Sequence, residues 1–373
     1  MIEQAGGGTL FLLVAIALAV LGTVLSQGPN LEEANTYLER ALRLDAGDTG
    51  TRYNLAVNQF RLGRLEAAQA NLDRILNQKP DHKQAASLLD AVKVKSKYGA
   101  ALDQYRAGHF AESQALLEQM TNARNRDPKV FSLLAWCHHR QDRAEAAMAA
   151  MRQAIELAPA DATLYSNAAQ ILLENRSFQA ASGAVTKALE LAPDHVPALK
   201  LKGLLDIEHG DLKQAVASFQ RAVKLDDADP EALERLGTAQ RMLFQYLEAA
   251  ATFEKGIARF PAYARMYEAY GKLLLDPGVH PDTAAETRSV ALLEKALALD
   301  ASLPQAHYEL GKLLLENGKA SEALRHLEAA AELDPRNSAT HLALANAYRV
   351  LGRTADQSRE LKLFRELEGL KRR

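Results

Sequence analysis

YNLAVNQFRLGRLEAAQANLDRILNQKP, residues 53–80, reads as two short amphipathic helices joined by a tight turn at Gly63. Leu55 and Ala56 lie on the apolar face of the first helix. Leu65, Ala68, Leu72 and Ile75 recur at steps of three and four residues, which marks the buried face of a second. Pro80 closes the unit, because proline cannot continue a helix.

The same skeleton returns every 34 residues along most of the chain. A small residue where the two helices cross recurs as Ala56, Ala101, Ala135, Ala169, Gly203, Gly237, Gly271, Gly311 and Ala345. A second small position, early in the second helix, recurs as Ala68, Ser113, Ala147, Ala181, Ala215, Ala249, Ser289 and Ala323, with Gln357 in the last copy. Pro80, Pro159, Pro193, Pro261 and Pro335 close units. Asn125, Asp227 and Ala301 stand in for that proline elsewhere, with Pro128, Pro230 and Pro304 following in the next first turn, where proline is tolerated. Small residues are needed at both positions because two helical backbones approach closely there.

A helix–turn–helix of 34 residues with these offsets resembles the tetratricopeptide repeat over about residues 30–371. The resemblance implies an all-α fold, a right-handed α-solenoid of about nine helix pairs after an N-terminal half repeat. The boundaries expected are a half repeat at 30–48, then repeats at 49–82, 94–127, 128–161, 162–195, 196–229, 230–263, 264–303, 304–337 and 338–371. The slip between 82 and 94 inserts eleven residues, close to three helical turns. It therefore predicts one unbroken helix from Lys83 to Arg106. The unit at 264–303 is six residues longer, and its turn, Asp276 to Pro281, is a proline-rich loop. Its second helix is expected to restart at Asp282 or Thr283. The charged end, with Lys371, Arg372 and Arg373, suits the negative pole of a last helix.

Residues 1–29 stand apart. Thr9 to Leu25 is an uncharged run of 17 residues. It is at the short end for a membrane anchor and slightly long for a signal peptide, with Val24 and Ser26 acceptable before a cleavage at Gln27. Basic residues, which both readings prefer ahead of the run, are missing. The leading expectation is a membrane anchor or exported leader. The competing one is a buried first helix of the array, since Leu31 to Leu44 looks like the second helix of a repeat. Contacts of Leu12, Ile16 or Val20 with Leu38 and Leu42 are its expected mark. Asn30 and Glu33 have the spacing of a capping box for that second helix.

The 373 residues would allow two globular domains on length, but a repeat array overrides that prior. A net charge of −2 gives no general attraction to nucleic acid. The single cysteine, Cys137, permits no internal disulfide and reads as a small buried residue. No metalloprotease, paired-cysteine, nucleophile-elbow or phosphate-loop motif occurs. The histidines lack a second ligand nearby in sequence, and the carboxylates sit among Lys and Arg as on solvated helix faces. No catalytic, cofactor or metal site is expected, and the chain reads as a non-enzyme.

What remains is a binding surface for other proteins or peptide segments. The resemblance implies that particular positions of each first helix line a groove. In the N-terminal half these positions bring Tyr98, Tyr105, Arg106, Trp136, His139 and Arg140, aromatic with a basic border that suits an apolar or acidic segment. In the C-terminal half they bring Glu234, Arg241, Arg265, Glu268, Lys272 and Tyr308. Asn167 and Lys200 fall where related adaptors hold a two-carboxylate clamp, but the full ordered set is absent. The expected role is a non-catalytic scaffold held at or exported across a membrane, with a soluble intracellular adaptor as the alternative and a regulatory subunit of an enzyme as a remote one.

Overall fold

A computed structural model describes residues 3–121, 127–279 and 283–371. Within them the chain is entirely helical, with no strand. The helices pair in chain order: α1 (Glu3–Leu25) with α2 (Leu31–Leu44), α3 (Thr49–Arg61) with α4 (Leu65–Gln78), α5 (Lys83–Arg106) with α6 (Phe110–Glu118), and α7 (Pro128–His139) with α8 (Ala144–Leu157). These make one compact unit, Met1–Ala160. The second unit, Asp161–Arg373, holds α9 (Ala162–Glu174) with α10 (Phe178–Leu191), α11 (Val196–Glu208) with α12 (Leu212–Leu225), and α13 (Pro230–Met242) with α14 (Tyr246–Arg259). It continues with α15 (Ala264–Leu274) and α16 (Thr283–Leu299), α17 (Pro304–Glu316) and α18 (Ala320–Leu333), and α19 (Ser338–Val350) and α20 (Thr354–Lys371). Inside each unit the second helix of a pair packs on the first helix of the next, the stacking of an α-solenoid.

Each pair starts, turns and crosses by a repeated device. Asp48, Asp127, Asp161, Asp229 and Asn337 precede first helices and accept hydrogen bonds from backbone N–H groups of the first turn. The inter-helix turn needs one residue in the left-handed region. Glycine supplies it at Gly63, Gly108, Gly210, Gly318 and Gly352, while Asp142, Arg176 and Phe244 take the same conformation with a side chain.

At the crossings, Ala56, Ala101, Ala135 and Ala169 are fully buried. Gly203 and Gly237 face the fully buried rings of Phe219 and Phe253, so small and large residues fit together. A Cβ on Gly203 would lie 2.6 Å from the Phe219 ring. Gly203→Ala is therefore expected to destabilise by about 1–3 kcal/mol through overpacking. Gly183, on the exposed face of α10, has open space around it. Gly183→Ala should instead stabilise by about 0.5–1 kcal/mol, because alanine loses less entropy in a helix. Denaturant midpoints of the two variants, moving in opposite directions, check the crossing geometry.

The N-terminus departs from expectation. No helix of the described residues is long and apolar enough to cross a membrane. The run expected as an anchor or leader packs as the first helix of a full pair. Ala15 and Gly22 are buried, and a Cβ on Gly22 would meet Leu38 of α2 at 2.7 Å. Gly22 thus occupies the crossing position 34 residues before Ala56. Asn54 and Asn58 on α3 donate to Thr23 Oγ1 and Ser26 Oγ at 2.9 and 2.7 Å, and Arg61 donates to the Ser26 carbonyl. Docking does not use Leu12, Ile16 or Val20, which remain exposed on the other side of α1. The half repeat is thereby completed, giving ten pairs among the described residues. Asn30 caps α2 by position only and makes no side-chain bond to it.

Helix α5 runs unbroken over 24 residues, as the eleven-residue slip implies. Six extra residues in the later unit follow α15, where a 3₁₀ turn spans Pro277–Val279. Asn125, the expected loop residue Pro281, the restart at Asp282 and the terminal Arg372 and Arg373 lie outside the described residues.

Candidate functional site

The aromatic set of the first unit divides between two places. Tyr105 packs its ring on Phe110 of its own repeat at 5.3 Å, and Arg106 pairs with Asp103. Tyr98 is half-buried, and burial, with the Asp127 carboxylate next, raises its phenol above the usual range. Trp136, His139 and Arg140 do come together at the end of α7. The imidazole meets the indole edge-on at 5.7 Å, and the guanidinium lies 6.0 Å from the same ring. Cys137 beside them is buried, its thiol pushed up by that burial and bonded to Ser113 Oγ.

The second unit contains a cavity of about 320 Å³. Three successive first helices build it: Glu234, Arg235, Thr238 and Arg241 from α13, Arg265, Glu268, Ala269 and Lys272 from α15, and Pro304 and Gln305 from α17, with Leu303 before them. Glu234, Arg241, Arg265, Glu268 and Lys272 are the inward positions read from the sequence. Arg235 and Gln305 also line it, Gln305 at the same repeat position as Arg265.

Most charges in this cavity are already matched. Arg241 donates to Asp276 at 3.0 Å, and Asp276 also accepts from Tyr246 Oη at 2.8 Å. Arg235 is shared between Glu231 at 3.5 Å and Glu234 at 3.9 Å, and Lys272 lies 3.8 Å from Glu309. Glu309 accepts a further bond from Gln305 at 2.7 Å. Glu234 also accepts from Thr238 at 3.0 Å. Two groups remain: among the described residues neither Glu268 nor Arg265 has a hydrogen bond or an ion pair, though both are in the reach of other charges.

Glu268 is the most perturbed carboxyl of the cavity. Burial pushes it up to about 7, the Glu234 carboxylate adds to the rise, Arg265 and Lys272 oppose it, and Glu309 contributes. Glu234 is raised as well, chiefly by burial. Tyr263, at the start of α15, is pushed up to about 12 by burial and then by Glu234. Both carboxyls line the concave wall of the cavity. Lys200, one of the clamp-type positions, is bound to Asp229 and Glu231 at 2.8 and 2.7 Å, so its ammonium is taken up within the fold.

Another side-chain constellation was hidden by sequence distance. Arg52, Tyr267, His307 and His341 occupy the same repeat position, and each donates to the carbonyl six residues earlier, in Ala46, Pro261, Ala301 and Pro335. The other ring nitrogen of His307 meets His326 Nδ1 at 3.0 Å. Burial, with His307 and Arg325 beside it, holds His326 below the ordinary imidazole range. No group of three or more metal-ligating side chains occurs among the described residues.

Family models described as tetratricopeptide repeat match residues 17–92, 98–162, 166–232, 200–264, 287–334 and 314–361. The chain belongs to the tetratricopeptide repeat family. The first match begins inside α1, in agreement with its packing as a repeat helix. No curated protein matches the chain. Among solved structures it is similar to yeast Tom70, with 16% identity, 96% of each chain covered and a TM-score of 0.50. A tetratricopeptide repeat protein from Parabacteroides merdae shares 18% identity over 68% of this chain and 98% of its own, with a TM-score of 0.56. Cut9–Hcn1, a hetero-tetramer of the APC/C, shares 14% identity over 95% of this chain and 73% of its own, with a TM-score of 0.55. At these identities the likeness is one of fold.

Proposed function

We propose that this protein is a non-catalytic interaction scaffold that holds a charged segment of a partner protein in the cavity between α13, α15 and α17. The observation carrying this reading is the pair Glu268 and Arg265, opposite charges on a concave wall with neither matched inside the fold. A solenoid whose other charges in that cavity are neutralised gains nothing in stability from leaving these two open. A functional site is where perturbed groups of this kind concentrate. The Trp136, His139 and Arg140 cluster supports a second contact surface in the first unit, one that suits an acidic or apolar segment.

Proximity crosslinking in the native host separates the two surfaces. Wild-type chain, Arg265→Ala with Glu268→Gln, and Tyr105→Ala with Arg140→Glu are compared after circular dichroism shows all three helical. Partners captured by the wild type are expected to be lost from the Arg265/Glu268 variant and retained by the other. Retention by the Arg265/Glu268 variant with loss from the Tyr105/Arg140 variant moves the site to the first unit.

A further inference from the structure

The geometry points to a basic side chain, lysine or arginine, as the occupant of the α13–α15–α17 cavity, with Glu268 as its counter-ion and Arg265 holding a carboxylate of the same peptide segment. This inference rests on the scaffold reading above and names the ligand that the cavity selects.

The pairing of charges inside the cavity leads there. Of the cations, Arg241 is held by Asp276, Arg235 is divided between Glu231 and Glu234, and Lys272 lies beside Glu309. Glu309 is further occupied by Gln305. The unmatched remainder is Glu268 and Arg265, with Glu234 served only by the Thr238 hydroxyl and its long contact to Arg235. Glu268 is half-buried and faces carboxylates on both neighbouring helices, Glu234 on α13 and Glu309 on α17. The inner wall therefore lacks one positive charge. Arg265 is exposed at the mouth, one helical turn away from Glu268 on α15, and the two do not pair with each other. A segment with a basic residue beside an acidic one meets both demands. An anion alone would be pushed against Glu234 and Glu268, and an apolar side chain would leave the Glu268 carboxyl desolvated without a partner.

The volume fits. At about 320 Å³ the cavity is near the lower bound of ligand pockets, roughly 300 Å³, enough for one long side chain. Leu303, Pro304 and Ala269 in its lining are suited to the aliphatic stem, while the carboxyls are suited to the charged head.

Occupation is coupled to a proton. With its carboxyl near 7, Glu268 carries a fractional proton at neutrality, held there by burial, Glu234 and Glu309 against Arg265 and Lys272. Arg235 and Arg241 face the same space but are paired elsewhere. An incoming cation favours the carboxylate and expels that proton. Binding should then tighten about tenfold between pH 6 and pH 8, following linkage to one group titrating near 7.

The test uses the full chain and two tetrapeptide amides, acetyl-Ala-Arg-Glu-Ala and the same peptide with citrulline, the neutral isostere of arginine. Calorimetry at pH 6 and pH 8 reads affinity and proton release. The arginine peptide is expected to bind about tenfold or more tightly than the citrulline peptide at pH 8, the loss typical of one charged partner. Glu268→Gln should erase both the preference and the pH dependence. Equal binding of the two peptides, or an unaltered pH dependence in Glu268→Gln, overturns the inference, as does absence of binding by the arginine peptide. If the citrulline peptide binds equally and Arg265→Ala abolishes that binding, the cavity stands as an interaction site and only the basic ligand fails. If crosslinked partners ignore the cavity altogether, the scaffold assignment of this site fails with it.

Discussion

Glu360→Ala is expected to cost about 1–3 kcal/mol, the usual penalty for leaving a buried polar group without its partner, and to do so locally. His341 on α19 and Glu360 on α20 are only 6% and 7% exposed. Their atoms meet at 2.8 Å from Nδ1 to Oε2, and one proton is shared across that contact. The ring cannot turn to find another partner, because Nε2 is fixed on the Pro335 carbonyl at 2.9 Å. Alanine at 360 removes that partner and leaves a buried polar nitrogen facing a void. The carboxylate also receives Arg359 Nε at 3.3 Å, but that guanidinium is largely exposed and can turn to water.

Where the loss appears follows from the solenoid. Each pair interacts only with its neighbours, and among the described residues the α19–α20 pair stacks on α17 and α18. The α19–α20 pair should open before the rest of its unit, seen as faster amide exchange confined to those helices. The double variant His341→Leu with Glu360→Leu removes both polar groups and is expected to recover most of the loss. A fall below about 1 kcal/mol in Glu360→Ala would place the pair among ordinary exposed ion pairs and overturn its assignment as the clasp of the last repeat.

That clasp also shows what the sequence could and could not convey. Crossing positions were legible because they are set by volume: only Gly and Ala fit, and the spacing repeats. The Gly203–Phe219 and Gly237–Phe253 fits follow the same rule. The clasp position is held by Arg52, Tyr267, His307 and His341, which share a donor and nothing else, so no residue-type pattern reveals it. At the N-terminus the uncharged run outweighed a weaker signal already present, Gly22 and Ala34 at the spacing of Ala56 and Ala68. Hydropathy reports composition, whereas docking of α1 depends on a narrow stripe of small and polar residues, Ala15, Gly22, Thr23 and Ser26. In the cavity, inward offsets identified Glu234, Arg241, Arg265, Glu268 and Lys272, but not which of them would remain unmatched. Pairing depends on Asp276 and Glu309, 35 and 37 residues away from Arg241 and Lys272.

Glu268→Gln is expected to stabilise the chain on the alkaline side by on the order of 2–3 kcal/mol and to have little effect in acid. The carboxyl stands at about 7 in the folded chain against 4.5 for an ordinary glutamate. Between those values the folded chain holds more protons than the unfolded one, so stability falls as pH rises through the window. The contribution is fully present below about 4.5 and is lost once pH has passed about 7. Every tenfold gain in proton affinity on folding corresponds to about 1.4 kcal/mol, and the open mouth of the cavity lowers the total. Glutamine keeps the shape and cannot ionise, so it escapes the cost that burial, Glu234 and Glu309 impose on a charge there. Urea unfolding of both proteins from pH 5 to pH 8.5 measures this as the difference between them, in which titrating groups away from the cavity cancel. A difference that grows with pH and levels above about 7.5 is the expected result. A flat difference would show that the carboxyl is solvated and would remove the electrostatic basis for a cation-binding cavity. The same substitution should thus strengthen the fold and weaken capture of a basic segment, since one carboxylate is responsible for both.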